Sequence, residues 1–400
     1  MKKILLALMG IVALTLASCS SDSSNDGGIQ NFWTLTKENK TLYDDDTEGV
    51  KVTVTLAYTA TENITLTPVM SSENETVLDA FEFSQPTITI AKGEKSATFL
   101  VRATGKKMLS TTQTLAISFQ DVSGLRKGEV LSITAEPNID VEITEEQKEL
   151  AEYWMNTLGF DVRPFLGQLA VNTTITLSDD DKTEQGYEEN SLIYNKDFSA
   201  ITISDKATKD NIVLKMTVNP MGMQAFIQEA FGITTPYFEG YPIYDALVAL
   251  MGTPDPSTLK VVLDNIVVDP ITQTLDFTAT TEDEVTLVPF TYDFPAWNTL
   301  LQKAGNGEEI EVNEGETTVS YPLSDVLDQD GTFNPAHYLG NTNIASDEYY
   351  HEPSNFIEPT ASYDLENNTI TFNFAWDFGA GSVLYDYVKI NAIYTLNSRK

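Results

Sequence analysis

From Phe32 to Ile143 the chain alternates apolar and polar residues with a period of two. Val50, Val52, Val54 and Leu56 interleave with Lys51, Thr53 and Thr55. The alternation returns at Ile64 and Leu66, at Ile88 and Ile90, at Ala97, Phe99 and Val101, and at Leu115, Ile117 and Phe119. Turn-forming residues separate these runs: Thr61-Glu62-Asn63, Ala91-Lys92-Gly93-Glu94 and Ser123-Gly124. Successive side chains of a strand point to opposite faces, so this pattern marks half-buried strands. Their regular spacing predicts an antiparallel β-sandwich over residues 32–143.

The period changes at Thr144. Thr144-x-x-Gln147 is a capping-box pattern, followed by Leu150, Tyr153, Trp154 and Leu158 at helical spacing and by Gly159 as a stop. The pattern predicts a helix over 145–158, its aromatic stripe facing a core, at the start of a second domain spanning 144–400. Beyond it, strand patterns occupy 171–177, 192–194, 200–204, 212–218, 259–268, 274–280, 285–292, 360–365, 369–376 and 383–396. Glu366-Asn367-Asn368 reads as a hairpin turn. Helices are predicted at 221–231, 243–251 and 296–304, each led by a proline (Pro220, Pro242, Pro295) and stopped by a glycine (Gly232, Gly252, Gly305). Residues 192–231 map without a gap onto 266–305, which raises a possible internal repeat. The fold class expected is mainly β with some α: a sandwich followed by a larger antiparallel α+β domain.

The N-terminus follows other rules. Lys2 and Lys3 precede an apolar run from Ile4 to Leu16, too short to span a bilayer comfortably. This is the layout of a secretory signal ending in small residues, covering 1–18. Leu16-Ala17-Ser18-Cys19 resembles the lipobox of bacterial lipoproteins. The resemblance implies diacylglycerol on the Cys19 sulfur, cleavage before Cys19 and a further acyl chain on the new amine, a stable membrane anchor. A free thiol behind an ordinary secretory signal is the alternative. Residues 19–31, SSDSSNDGG in large part, read as a flexible acidic tether. Such tethers resemble those of surface lipoproteins of the Bacteroides group, which implies an outer-membrane protein facing the cell exterior; a spacer facing the periplasm is the alternative.

In the sandwich, GVKVTVTL (49–56), PTITIAKGEKSATFLV (86–101) and QTLAISF (113–119) resemble a Calx-beta-like or related immunoglobulin-like module. Calcium-binding members use acidic clusters at one end of the sandwich, where Asp44, Asp45 and Asp46 would contribute. The closing strand LSITAEPNIDVEI lacks the matching acidic run, so the three aspartates read as a solvated loop. The second domain matches no enzyme motif; in architecture the chain resembles uncharacterised Bacteroides surface lipoproteins.

Composition narrows the chemistry. The formal net charge is −35, which repels nucleic acid and anionic head groups and suits neutral ligands or cations. Cys19 is the single cysteine, so no intramolecular disulfide and no thiolate site arises in the folded part. With 42% hydrophobic residues the domains can rest on cores alone. No Gly-x-Ser-x-Gly elbow, His-Glu-x-x-His pair or phosphate-binding loop occurs, so catalysis is not favoured and no cofactor is implied. His337 and His351, with Asp347, Glu348 and Glu352, offer metal-ligand types at no recognised spacing and read as an exposed loop; no metal site is assigned. Asp328, Asp330 and Gly331 fit the middle of a calcium loop, but Val326 and His337 stand where its first and last ligands belong, which leaves an acidic turn.

The candidate binding residues are aromatics in loop context: Tyr237, Phe238, Tyr241 and Tyr244 around Gly240 and Pro242, and Tyr338, Tyr349 and Tyr350 among Asn, Asp and Glu. Flat rings beside acids and amides suit sugar recognition, the face offering apolar area and the rim hydrogen bonds. The competing reading packs these rings onto the domain. The expectation is therefore a lipid-anchored, non-enzymatic protein that binds an extracellular ligand, a glycan first. A carboxylate-dependent glycoside hydrolase and a structural subunit contacting another envelope protein remain open.

Overall fold

The structure, a computed structural model, describes residues 30–177, 179, 182–183, 188–234, 240–280, 286–327, 333–339, 357–376 and 388–397. The chain is mainly β, as its patterning predicts, with antiparallel pairing dominant.

The N-terminal part is a sandwich of two sheets. Strands β1 (Asn31–Lys37), β2 (Leu42–Tyr43), β3 (Val50–Leu56), β4 (Ile64–Leu66), β5 (Pro68–Ser71), β6 (Phe81–Phe83), β7 (Ile88–Ile90), β8 (Ser96–Ala103), β9 (Gln113–Phe119), β10 (Leu125–Arg126) and β11 (Leu131–Glu136) follow in order. One sheet runs β10-β1-β3-β8-β6 and the other β2-β11-β9-β5, with β4 and β7 forming a small ribbon. The alternating apolar set faces inward: Val50, Val52, Val54 and Leu56 meet Phe99, Val101, Leu115, Ile117 and Phe119. Trp33 stands edge-on to Phe119, their ring centres 5.1 Å apart, a favoured aromatic geometry.

The second part is built on a nine-stranded sheet that closes on itself. Its strands are β12 (Gly167–Thr176), β13 (Ser191–Ile203), β14 (Ile212–Val218), β15 (Lys260–Asp269), β16 (Thr274–Asp276), β19 (Phe290–Asp293), β22 (Thr360–Asp364), β23 (Thr369–Trp376) and β24 (Val388–Thr395); two short strands, β17 (Ala279–Thr280) and β18 (Thr286–Leu287), pair only with each other. The order β14-β13-β12-β24-β23-β22-β16-β15 returns to β14 through a β14–β15 pairing, which makes an eight-stranded antiparallel barrel, and β19 extends the free edge of β15. Eight strands enclose about enough room for side chains. Here Phe277, Phe372, Phe374, Trp376, Ile390 and Tyr394 fill it. Phe372 sits edge-on to both Phe277 and Tyr394, at 5.3 and 5.9 Å.

A buried turn plugs one side of the barrel. Asn219, Met221 and Gly222 all have positive φ (48°, 55° and 67°) and are buried. Such backbone persists only where surroundings fix it. The surroundings are the Thr173 hydroxyl, which donates to the Met221 carbonyl (2.7 Å), and the Ser199 hydroxyl, which donates to the Asn219 carbonyl (2.5 Å) and lies 2.9 Å from the Tyr394 hydroxyl. This turn displaces the helix expected from Met221. Helix α2 starts only at Gln224 and runs to Thr234, because Pro220 belongs to the turn. The helix expected over 145–158 is present as α1 (Glu145–Tyr153), closed by its Thr144/Gln147 capping box and continued as one wider turn to Leu158. Helices α3 (Pro242–Met251) and α4 (Pro295–Gly305) carry proline in the first turn, as expected. The two stretches proposed as repeats differ in their elements and pairing: 192–231 holds β13, β14 and α2, with β13 bonded to β14, whereas 266–305 holds the end of β15, four short strands and a helix, with β16 and β19 both bonded to β15.

Asp44, Asp45 and Asp46 do not form a solvated loop. Their exposures are 0%, 5% and 9%: Asp46 is held by the Gly49 N–H and Lys40, Asp45 by the Asn138 side chain, and Arg163 of the second domain comes against Asp44. The Asp44 carboxylate accepts from the Leu109 N–H at 2.7 Å and the Asn138 N–H at 3.1 Å. Arg163, 4% exposed, holds Asp161 with two bonds of 2.8 Å and brings its third nitrogen 4.0 Å from Asp44. From the other side Glu152 of α1 accepts from the Met108 N–H (3.1 Å) and Lys107 (2.7 Å), and the Met108 side chain enters the core of the second domain. Burial pushes the Asp44 carboxyl up to about 6, against the pull of its two N–H donors and Arg163.

Candidate functional site

The aromatic cluster around Gly240 divides. Tyr241 stands before the first turn of α3 with an extended backbone (φ −78°, ψ 128°) and is 56% exposed. Tyr244, inside the helix, is buried in a satellite core with Leu247, Leu300, Ile310, Val312, Leu323 and Phe333, its ring centre 6.0 Å from that of Phe333. The expectation of Tyr244 as a ligand-facing ring is therefore corrected: it is core, because it sits inside α3 on the face it shares with buried Leu247, whereas Tyr241 is the extended residue before the helix. Tyr237, Phe238, Tyr349 and Tyr350 lie outside the described residues, as do the side chain of Tyr338 and Cys19. The histidine–carboxylate segment and Asp328–Gly331 lie outside them too, apart from the backbone of His337.

Ile243, in the first turn of α3, lines a cleft that the sequence reading missed. Strands β20 (Glu309–Glu314) and β21 (Thr317–Pro322) make a hairpin, turned at Gly315 (φ 68°), which a short helix α5 (Leu323–Leu327) follows. Ile310 and Val312 point into the satellite core, and the register puts Tyr321 opposite Ile310. The cleft between hairpin, α3 and α5 has a volume of about 220 Å³ and is lined by Ile243, Val312, Glu314, Tyr321, Asp325 and Val326. The Tyr321 hydroxyl donates to Glu314 at 2.7 Å, and that bond to an acid holds the phenol above its usual range. A ring, two carboxylates and aliphatic walls meet here. The signal was present as the period-two run EIEVNEGETTVSY around Gly315.

A second crevice, about 250 Å³, lies at the joint between Asn74, Ser110 and Gln113 of the sandwich and the face of α1 bearing Lys148 and Glu149. Its cations are already engaged, Lys107 with Glu152 (2.7 Å) and Lys148 with Glu145 (3.1 Å). It reads as part of the joint. Among the described residues no three His, Cys, Asp or Glu side chains are placed to hold a metal ion, and no helix is long and apolar enough to cross a membrane.

Residues 141–395, which hold the barrel, the satellite core and the cleft, match a domain of unknown function, DUF8472. The chain belongs to that family. The DUF8472 region starts just before the capping box of α1 and includes Arg163 and Glu152 of the joint. No curated protein is matched by the chain. Solved structures similar to it include the E. coli chaperone DraB, at 12% identity and TM-score 0.21, covering 44% of this chain and 93% of that one. The periplasmic chaperone SfaE is similar at 11% identity and TM-score 0.21, covering 46% and 92%. A protein of unknown function from Bacteroides ovatus is similar at 8% identity and TM-score 0.25, covering 92% and 95%.

Proposed function

We propose that this chain is a lipid-anchored outer-membrane protein, held through Cys19 and facing the cell exterior, whose DUF8472 domain binds a glycan without turning it over. The anchoring rests on the basic start, the short apolar run and Leu16-Ala17-Ser18-Cys19. The observation that carries the binding is the Tyr321–Glu314 pair in its cleft, with Asp325 alongside and Tyr241 exposed at the head of α3. A ring supplies apolar area for the face of a sugar, and fixed carboxylates accept from its hydroxyls.

A glycan array probed with the mature chain carrying Cys19→Ser tests the reading. Binding that falls in both Tyr321→Ala and Glu314→Gln supports it. An array with no bound glycan, or binding indifferent to both changes, overturns it. Release of reducing sugar from a bound glycan would instead favour the carboxylate hydrolase. Protease shaving of intact cells tests the location, since protection of the protein contradicts surface exposure.

A further inference from the structure

The sandwich carries a larger groove at the end away from the joint. Strand β3 runs from the joint at Val50 to Leu56, and the loop after it (57–63) and the start of β4 meet the β9–β10 loop (122–124), Leu125 of β10 and the start of β1. The groove between them has a volume of about 430 Å³. Of the three clefts described, it alone falls within the span of about 300–1,000 Å³ common for small-molecule sites.

We infer that this groove is a second binding site, for a neutral oligosaccharide, with the Tyr58 ring as its platform. Three observations support the assignment. First, Tyr58 lines the groove and is 52% exposed, although β3 just before it buries every second residue. Second, the loop that carries it is pinned along its length. The Asn31 side chain accepts from the Tyr58 N–H and donates to the Tyr58 carbonyl, both at 2.9 Å. Ala60 exchanges backbone bonds with Gly93 and Glu94, and Asn63 accepts from the Lys92 N–H at 2.8 Å. A loop fixed before binding loses little entropy when a ligand arrives. Third, the lining holds no cation and is rich in hydroxyls. Thr59, Thr61, Thr65 and Ser123 line it with Asn63, Glu62 is its one ionisable carboxylate, and no lysine or arginine contributes. On a chain of net charge −35 such a lining disfavours phosphates, sulfates and uronic acids and suits neutral hydroxylated ligands.

The site deepens the glycan-binding reading but occupies a different domain, so the two can fail separately. The test is calorimetric titration of the mature Cys19→Ser chain with malto-, manno- and xylotriose and with trigalacturonate as the acidic control, repeated for Tyr58→Ala, Tyr58→Phe and Tyr321→Ala. The expected result is binding of at least one neutral trisaccharide, weakened about fivefold or more by Tyr58→Ala and within about twofold of the parent in Tyr58→Phe, which keeps the ring. Because Tyr58 is exposed, its melting temperature serves as a control and stays unchanged. Neutral trisaccharide binding that survives Tyr58→Ala but falls in Tyr321→Ala overturns the groove and leaves the cleft standing. Loss in Tyr58→Ala with Tyr321→Ala unchanged establishes the groove and removes support from the cleft. Binding of none of the neutral trisaccharides, or equal binding of trigalacturonate, overturns the groove whatever the array shows for the DUF8472 domain.

Discussion

The buried carboxylate at the joint makes the stability of this protein depend on pH in a direction opposite to that of most aspartates. Asp44 is fully buried, and burial raises it from 3.8 to about 6. The native state therefore holds its proton over a range where the unfolded chain has lost it. The stabilisation from protonating Asp44 is complete below pH 3.8 and is lost as the pH rises through about 6. A rise of roughly two pK units corresponds to about 3 kcal/mol. The perturbation is Asp44→Asn, which removes the titration and leaves every other carboxylate in place. Urea unfolding followed by tryptophan fluorescence at pH 4, 5, 6 and 7 gives each protein's stability, and the quantity of interest is their difference. Parent minus variant should fall by about 3 kcal/mol between pH 4 and 7 and stay level above 7. The constant part of the difference is separate. The substituted asparagine offers one acceptor where the Asp44 carboxylate serves both Leu109 and Asn138, and an orphaned N–H costs about 1–3 kcal/mol at any pH. Parallel profiles from pH 4 to 7 would refute the argument, since they would mean that the joint admits enough water to keep Asp44 ordinary.

Four further substitutions are informative about the packing. Arg163→Met leaves the buried Asp44 and the part-exposed Asp161 without their cation, and should cost about 3–5 kcal/mol in thermal unfolding at pH 7. The same variant should become sensitive to limited proteolysis between residues 137 and 143. Gly222→Ala should destabilise by about 2 kcal/mol or more, because its φ is 67° and a Cβ there would lie 2.3 Å from the Thr173 hydroxyl. Gly240→Ala, at φ 89° with nothing within 4 Å, carries the backbone penalty alone and should cost less in the same melt. Thr144→Ala removes the hydroxyl that accepts from the Gln147 N–H, leaving the backbone N–H of residue 144 still bonded to the Gln147 side chain, and should cost about 1 kcal/mol, read by thermal unfolding.

What could be read from the sequence was local, and what could not was set by distance along the chain. The sandwich strands announce themselves because one buried face forces a period of two, as in Val50 to Leu56. Barrel closure leaves no such mark. It depends on Ala170 pairing with Thr395 and Ile212 with Val268, registers fixed by packing between segments that carry no shared pattern. The same limit governed the site. Tyr241 and Tyr244 look alike as loop tyrosines, yet one helical boundary at Pro242 separates an exposed ring from a core ring. Tyr58 is inconspicuous in the sequence because one aromatic at a strand end is ordinary; only the folded loops make a groove beside it. Three adjacent aspartates look solvated because water is the cheapest partner for a carboxylate. At Asp44 that place is taken by N–H groups 65 and 94 residues away and a guanidinium 119 residues away. A run of acids in a chain this negative is thus weak evidence of a surface: Asp44 ties the sandwich to itself through Leu109 and Asn138 and meets the second domain at Arg163.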